Sequence, residues 1–176
     1  SDAMLVRDQL VHFDTFGFLV LRSLLTPEEV ATAEEEFDIG FSAAREHTDL
    51  RGIRKQLNWT NLGPHAPFLA SLLEDPRFLT SAEQILQGDV IGNYANGNAF
   101  ASDRTEWHPD KGDLERRGVK FAFYLQPLDS QTGALRFIPG SHKAPLHGDI
   151  RKIRLKESNQ GVVDDGGLTI DEMPAF

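Results

Sequence analysis

Apolar residues recur at helical spacing near the start of the chain. Between residues 5 and 16 they are Leu5, Val6, Leu10, Phe13 and Phe16. Gly17 follows, and glycine commonly ends helices, so the pattern predicts a helix over residues 5–16. The next apolar run, FLVL at residues 18–21, is short and β-like.

A second helix is predicted from its start signal. Thr26 is followed by Pro27 and, three positions after the threonine, by Glu29. This is the pattern of a capping box, in which Thr and Glu side chains satisfy backbone N–H groups of the first turn. We therefore predict a helix from Pro27 to about Arg45, then a loop over residues 47–64.

Two shorter helices are predicted at residues 67–73 and 76–86, and after Gly88 the pattern changes. Short extended runs separated by turn residues then follow: DVIGNYA, NAFAS, TEWHPD, VKFAFYLQPL and ALRFIPG. Helices followed by strands indicate an α+β or mainly β fold rather than alternating βαβ units. We interpret residues 1–176 as one domain, with a tag remnant at 1–3, a mainly helical part at 4–87 and strands at 88–176.

Composition narrows the classes of function. The chain has 176 residues, 40% of them hydrophobic, and no run approaches the roughly 18 apolar residues of a membrane span. A net charge of −9 argues against nucleic-acid binding. Residues 111–156 are nevertheless rich in Lys and Arg. A solvated loop and strand face is one interpretation of this segment, and the entrance to a site for a small anionic substrate or cosubstrate is the other. We expect a cytoplasmic enzyme without membrane or nucleic-acid partners.

A histidine and an aspartate stand two positions apart in TEWHPDKGD, residues 105–113. In a strand, residues i and i+2 face the same side, so the heads of His108 and Asp110 would converge. The chain contains no cysteine, so a metal site must use His and carboxylate ligands. Two His and one carboxylate form the usual iron(II) triad, and this pair would supply two ligands. An ordinary surface pair is the alternative, and Trp107 is predicted to lie in the core.

Three stretches in the order FGFLVLRSLLTPEEV, WHPD and TGALRFIPGSHK resemble the phytanoyl-CoA dioxygenase family of iron(II)- and 2-oxoglutarate-dependent oxygenases. The resemblance implies a double-stranded β-helix, a cupin-like jelly roll, with N-terminal helices. It further implies that His108 and Asp110 bind iron and are the catalytic ligands. The cofactors implied are Fe(II), the cosubstrate 2-oxoglutarate, and O₂.

The resemblance also suggests roles for neighbouring residues. Asn93 and Tyr94 lie on the strand before the metal motif, where family members often contact 2-oxoglutarate, and Lys120 on the next strand could contact this anion. His142 of the PGSH turn is expected to be structural, and His147 to lie in a loop. Related halogenases lack the carboxylate ligand, so Asp110 favours hydroxylation of a small molecule, with succinate and CO₂ as co-products.

One family feature is not found within these residues. Members place a second metal His, and an Arg that binds 2-oxoglutarate, well downstream of the PGSH hairpin. We therefore expect the jelly roll to be incomplete at the C-terminus of this chain. Two alternatives follow: a catalytically inactive jelly-roll relative with a binding or structural role, and a cupin-like metal hydrolase or isomerase that uses His108 and Asp110 without 2-oxoglutarate.

Overall fold

A computed structural model describes residues 4–47, 54–58, 66–92, 95–100, 107–110, 114–115 and 117–158. The elements in chain order are α1 (Arg7–Phe16), α2 (Pro27–His47), β1 (Arg54–Asn58), α3 (Pro67–Ser71), α4 (Pro76–Leu86), β2 (Asn96–Phe100) and α5 (Leu146–Ser158). None of these helices combines the length and the apolar content needed to span a membrane, as judged on the described residues.

The chain divides into two compact units. The first unit consists of Ser1–Met4, Leu21–Arg104 and Val119–Pro127. The second unit consists of Leu5–Val20, Thr105–Gly118 and Leu128–Phe176. The first therefore contains α2, α3, α4 and both strands, whereas the second contains α1, α5 and the segment with His108 and Asp110.

The helices of the first unit begin where their sequence signals predict. At the start of α2, the Thr26 N–H donates to Glu29 Oε2 at 2.8 Å and the Glu29 N–H donates to Thr26 Oγ1 at 3.2 Å. This reciprocal pair confirms the predicted capping box. At the start of α4, Asp75 Oδ1 accepts the Arg77 N–H at 2.8 Å, and Pro76 occupies the first helical position.

A two-stranded antiparallel sheet also belongs to the first unit. Its register pairs Arg54 with Phe100 and Asn58 with Asn96. The sequence prediction of a loop throughout residues 47–64 is therefore wrong at residues 54–58. A ladder between segments far apart in sequence provides the backbone hydrogen bonds, and no local pattern reports such a partner.

The core of the first unit forms where α2, α3 and α4 bring apolar side chains together. Its buried members are Ala33, Ala66, Leu69, Leu72 and Phe78, and partly buried residues around them are Leu24, Leu25, Phe37, Phe68, Ala95, Phe121 and Leu125. The rings of Phe78 and Phe121 meet edge to face, with centroids 5.1 Å apart. Burial of these side chains is the main favourable contribution to the stability of this unit.

Two charged side chains connect the helices of the first unit. The buried Glu36 carboxylate accepts the backbone N–H groups of Phe68 and Leu69, both at 2.9 Å, and so satisfies the start of α3. Arg77 donates to both Glu29 oxygens, at 2.8 and 2.7 Å, to Asp75 Oδ2 at 2.7 Å and to the Leu24 carbonyl at 2.9 Å. These contacts join the N-termini of α2 and α4.

In the second unit, α1 ends as predicted and α5 was not anticipated. Gly17 adopts a left-handed conformation with φ of +83° and donates its N–H to the Phe13 carbonyl at 2.8 Å. The charged stretch at residues 146–158 forms α5, so the loop predicted around His147 is wrong. Lys152 and Asp149 pair one turn apart on this helix, and such pairs favour helix formation.

The extended runs predicted at residues 18–21, 119–128 and 134–140 are not assigned to strands. The other three predicted runs all lie partly outside the described residues, and among them NAFAS contributes to β2. The jelly roll, the incomplete C-terminus and the single-domain organisation therefore stay predictions.

Candidate metal site

The side chains of His108 and Asp110 lie close together in the second unit. His108 Nε2 and Asp110 Oδ1 lie 3.7 Å apart, and the side chains are 44% and 54% exposed. Residues 107–109 are assigned to neither helix nor strand, and Asp110 lies in a bend. The ends of the two side chains thus approach each other as predicted, although residues 107–110 do not form the strand from which this approach was predicted.

The separation of these two donors fits a shared metal ion. Two adjacent ligands at about 2.1 Å from one cation lie about 3 Å apart, within about 1 Å of the distance between these atoms. An imidazole nitrogen with a carboxylate oxygen is also the donor combination of non-haem iron sites. The exposure of both heads leaves space for further ligands around the ion.

A third protein ligand is not found near the pair in the described part of the chain. Within those residues, no group of three or more His, Cys, Asp or Glu side chains is arranged to hold a metal ion. The pair therefore accounts for two positions of a metal centre, and the assignment of His108 and Asp110 as ligands stays a prediction.

Trp107 directly precedes this pair and contacts an arginine of the stretch TGALRFIPGSHK, residues 132–143. The Arg136 guanidinium carbon lies 5.2 Å from the centroid of the Trp107 ring, within the range of a cation–π interaction. The indole is only partly buried, so it is not the core residue that the sequence predicted. The contact was missed, but an Arg between Leu135 and Phe137 in an apolar run is the signal that could have indicated it.

The PGSHK turn, residues 139–143, is attached to the end of α1. The Gly140 N–H donates to the Phe16 carbonyl at 3.0 Å. The His142 Nε2–H donates to the Asp14 carbonyl at 2.9 Å, which requires the tautomer protonated at Nε2. These backbone contacts give His142 a structural position, in agreement with the role that the sequence suggested.

A salt bridge lies beside these hydrogen bonds. Lys143 Nζ is 2.7 Å from Asp14 Oδ2. The hydrogen bond from Lys143, together with its positive charge, lowers the pKa of the Asp14 carboxyl below its ordinary value of 3.8. The carboxylate therefore stays ionised into more acidic solution than an isolated Asp.

Gly17 is the residue that allows the His142 ring to approach α1. A Cβ at this position would lie 2.4 Å from His142 Nδ1 and 2.7 Å from its Cγ, closer than real Cβ atoms come to other atoms. Its positive φ is also unfavourable for residues with a side chain. A glycine is therefore required here on two independent grounds.

The two ring nitrogens of His147 have different surroundings. Its Nδ1–H donates to the Ser141 carbonyl at 3.2 Å, so the neutral ring carries its lone pair on Nε2. Nε2 is buried, and no described residue forms a hydrogen bond with it. Because His147 lies in α5, its position differs from the loop that the sequence indicated.

Three residues were predicted from the sequence to contact 2-oxoglutarate. Asn93 and Tyr94 fall outside the described residues. Lys120 belongs to the first unit, and its side chain is exposed. A role in binding the cosubstrate stays a prediction for all three.

Comparison with known proteins extends the resemblance over most of the chain. The family described as phytanoyl-CoA dioxygenase (PhyH) matches residues 13–164. Three relatives are ectoine dioxygenases, from Bordetella parapertussis, Streptomyces anulatus and Nocardia farcinica. They are 27%, 30% and 27% identical to this chain over 190, 173 and 184 residues.

These alignments cover nearly all of this chain but not of its relatives. They include 93%, 89% and 93% of this chain, and 60%, 58% and 62% of the three relatives, respectively. The chain thus spans about 60% of the length of the curated relatives that it matches. No solved structure matches the chain.

Proposed function

Because the chain belongs to the phytanoyl-CoA dioxygenase family, we propose that its protein is an Fe(II)- and 2-oxoglutarate-dependent oxygenase that hydroxylates a small molecule. The relatives, named ectoine dioxygenases, support oxygenase chemistry on a small molecule. The single structural observation that carries the proposal is the 3.7 Å approach of His108 Nε2 to Asp110 Oδ1, directly after Trp107.

The two side chains would have complementary roles in holding the metal. The neutral His108 imidazole offers the Nε2 lone pair, and the Asp110 carboxylate offers negative charge that offsets part of the charge of the ion. When bound, Fe(II) supplies the chemistry that couples O₂ and 2-oxoglutarate to substrate hydroxylation, with succinate and CO₂ as co-products. An Asp at position 110 would fill the carboxylate position that related halogenases leave to a halide, and this supports hydroxylation over halogenation.

Ectoine is the first substrate to test, since the relatives described above are named for it. The Lys- and Arg-rich segment of residues 111–156 supports a substrate or cosubstrate that carries a carboxylate. The proposal commits to hydroxylation of a small molecule, and a panel of small amino-acid derivatives would extend the substrate test.

The experiment measures turnover of the protein at its natural length. Fe(II), ascorbate and 2-oxoglutarate are supplied with and without ectoine, and succinate formation and O₂ uptake are followed. We expect succinate to form in the wild type and to fall to background in His108→Ala and Asp110→Ala, because each change removes a donor atom from the metal. Hydroxylated product is detected by mass spectrometry.

Asp149→Ala is the matched control, since Asp149 is an exposed carboxylate in the same unit and forms its ion pair with Lys152 of the same helix. Its succinate formation should equal that of the wild type. Full turnover in Asp110→Ala would exclude this residue as a ligand. A wild type that forms no succinate at all, with or without ectoine, would contradict the proposal and favour one of the two alternatives, a non-catalytic binding or structural relative or a metal hydrolase or isomerase that does not use 2-oxoglutarate.

A further inference from the structure

The segment 136–143 of the second unit is held at several points by the end of α1 and the residues that follow it. The Phe137 ring stacks on the Phe18 ring with centroids 5.3 Å apart and planes inclined by 10°. Ile138 is buried. Beyond it, the PGSHK turn makes the hydrogen bonds and the salt bridge to α1 described above.

Arg136 lies at the start of this anchored segment and contacts Trp107. The residue that follows it, Phe137, stacks on Phe18, and the Arg136 guanidinium lies over the indole at 5.2 Å from the ring centroid. The ion pairs among described residues do not include Arg136. The face of the indole is therefore the contact that orients the guanidinium, and the guanidinium in turn restrains the indole.

A restraint on the Trp107 side chain also limits the conformations of the next residue, His108. His108 follows it directly, so the backbone that carries the indole also carries the imidazole. His108 and Asp110 are half exposed, so burial restrains their heads less than it would restrain core side chains. A large planar side chain fixed one position earlier limits the conformations available to this short segment, and such indirect support tunes metal affinity in other proteins.

We infer that Arg136 is a positioning residue for the metal pair: by holding Trp107 through a cation–π contact, it orients His108 towards Asp110. This inference rests on the proposed function for its metal-binding consequence. The geometric part, in which Arg136 orders Trp107 and His108, does not depend on that function. The two parts are therefore tested by separate measurements on the same variants.

The test uses the 176-residue chain in a Trp59→Phe background, because the chain has two tryptophans and Trp107 is then the single fluorophore of this kind. Arg136→Gln removes the positive charge, and Arg136→Lys retains a positive charge at this position. Arg151→Gln is the control, because it makes the same change of charge at an exposed residue of α5 in the same unit. Acrylamide quenching reports on Trp107, and the His108 imidazole resonance, assigned with His108→Gln, reports on the ring. Mn(II) affinity is measured by electron paramagnetic resonance.

We expect Arg136→Gln to increase quenching of Trp107, to shift the His108 resonance and to weaken Mn(II) binding about fivefold. Arg136→Lys should recover part of each effect, and Arg151→Gln should leave all three unchanged. Circular dichroism establishes that each variant is folded. A general loss of structure would instead change the thermal midpoint and would not be reversed selectively by lysine.

Three other outcomes are informative. If the wild type binds Mn(II) and Arg136→Gln increases quenching without changing affinity or the His108 resonance, Arg136 holds only the indole and the inference is wrong. If no variant binds Mn(II) but Arg136→Gln still shifts the His108 resonance, the positioning role stands and its metal-binding consequence is wrong for this chain, whereas the proposed function is decided by the succinate assay described above. If Arg136→Gln changes neither Trp107 nor His108, the inference is overturned.

Discussion

The two units of the molecule are stabilised by different kinds of interaction. In the first unit, buried apolar side chains such as Leu69, Leu72 and Phe78 form a core. In the second unit, the buried apolar side chains among the described residues are Leu5 and Ile138, and the contacts that join distant segments are polar or aromatic. The candidate metal pair belongs to the second unit.

The two units should differ in their sensitivity to changes of single atoms. Burial of apolar area is non-directional, so it tolerates changes that preserve volume. Hydrogen bonds, stacked rings and salt bridges depend on particular atoms, on pH and on ionic strength. We therefore expect the second unit to respond to subtle chemical changes, whereas the first should respond mainly to changes of buried groups.

The largest effect is expected from Glu36→Ala in the first unit. The change leaves the partly buried N–H of Phe68 and the buried N–H of Leu69 without their acceptor, and loss of the acceptor of a buried group costs about 1–3 kcal/mol. We expect the thermal midpoint, measured by circular dichroism, to fall by about 10 °C. Glu35→Ala, at an exposed neighbour on the same helix, is the control and should change it little.

Glu36→Gln sharpens the same test. The amide retains one oxygen acceptor but replaces the other with a donor that faces a backbone N–H. Its midpoint should lie between those of the wild type and Glu36→Ala. Equal stability of Glu36→Ala and Glu35→Ala would show that this carboxylate does not stabilise the start of α3.

The second effect, in the second unit, is expected from Gly17→Ala. The added Cβ would collide with the His142 ring and would also have to adopt a positive φ. We expect the midpoint to fall by about 6 °C. Gly148→Ala is the matched control, because nothing lies within 4 Å of the added Cβ in α5, and alanine there should be neutral or slightly stabilising.

The double variant Gly17→Ala with His142→Ala separates the two causes. Removal of the ring relieves the collision but not the backbone strain, so the double variant should lose less than the sum of the single changes. Strict additivity would mean that the His142 ring does not occupy the space beside Gly17.

Features set by neighbours in the sequence were predictable, whereas features set by partners far along the chain were not. The start of α2 and the bounds of α4 were predicted because Thr26, Glu29 and Pro76 act on residues within one turn. The strand β1 was missed because its partner β2 lies far along the chain. The helix α5 was missed although Leu146, Ile150 and Ile153 stand at helical spacing, because Gly148 and the surrounding charged residues weaken this signal.

The candidate site was predictable only in part, for the same physical reason. The approach of His108 to Asp110 was predicted from the alternation of side chains in a strand, but it occurs where residues 107–110 are not assigned to a strand. The support around it comes from segments far apart in sequence, as in the bond between His142 and Asp14, which are 128 positions apart. No periodicity or spacing rule reports such contacts.

A third, smaller effect is expected from Arg77→Leu in the first unit. Hydrogen bonds from the Arg77 guanidinium lower the pKa of Glu29 and of Asp75 below their ordinary values of 4.5 and 3.8. Leucine keeps much of the apolar stem but removes these bonds, so the midpoint at pH 7 should fall by about 4 °C. Arg22→Leu, at an exposed position of the same unit, is the control.

The pH dependence of Arg77→Leu provides an independent check. Because both carboxyl pKa values are lowered in the folded protein, their stabilising effect is complete above about pH 4.5 and is lost as the pH falls through the lowered values. The difference in midpoint between wild type and Arg77→Leu should therefore shrink in acid. A constant difference from pH 7 to pH 3 would contradict the role of these ion pairs.

The smallest effect is expected from Asp14→Asn, because Asp14 and Lys143 are both at least half exposed. The pKa of Asp14 is lowered mainly by its hydrogen bond from Lys143, so the stabilisation is present above pH 3.8 and is lost as the pH falls below that value. The backbone carbonyl that accepts from His142 is unchanged. The thermal midpoint of Asp14→Asn should lie slightly below that of the wild type at pH 7 and low salt, and should approach it in 1 M NaCl or in acid. Asp149→Asn, which alters the pair with Lys152 on α5, controls for the change of net charge. If the effect of Asp14→Asn persists unchanged in salt and in acid, the pair of Asp14 with Lys143 makes no electrostatic contribution to stability.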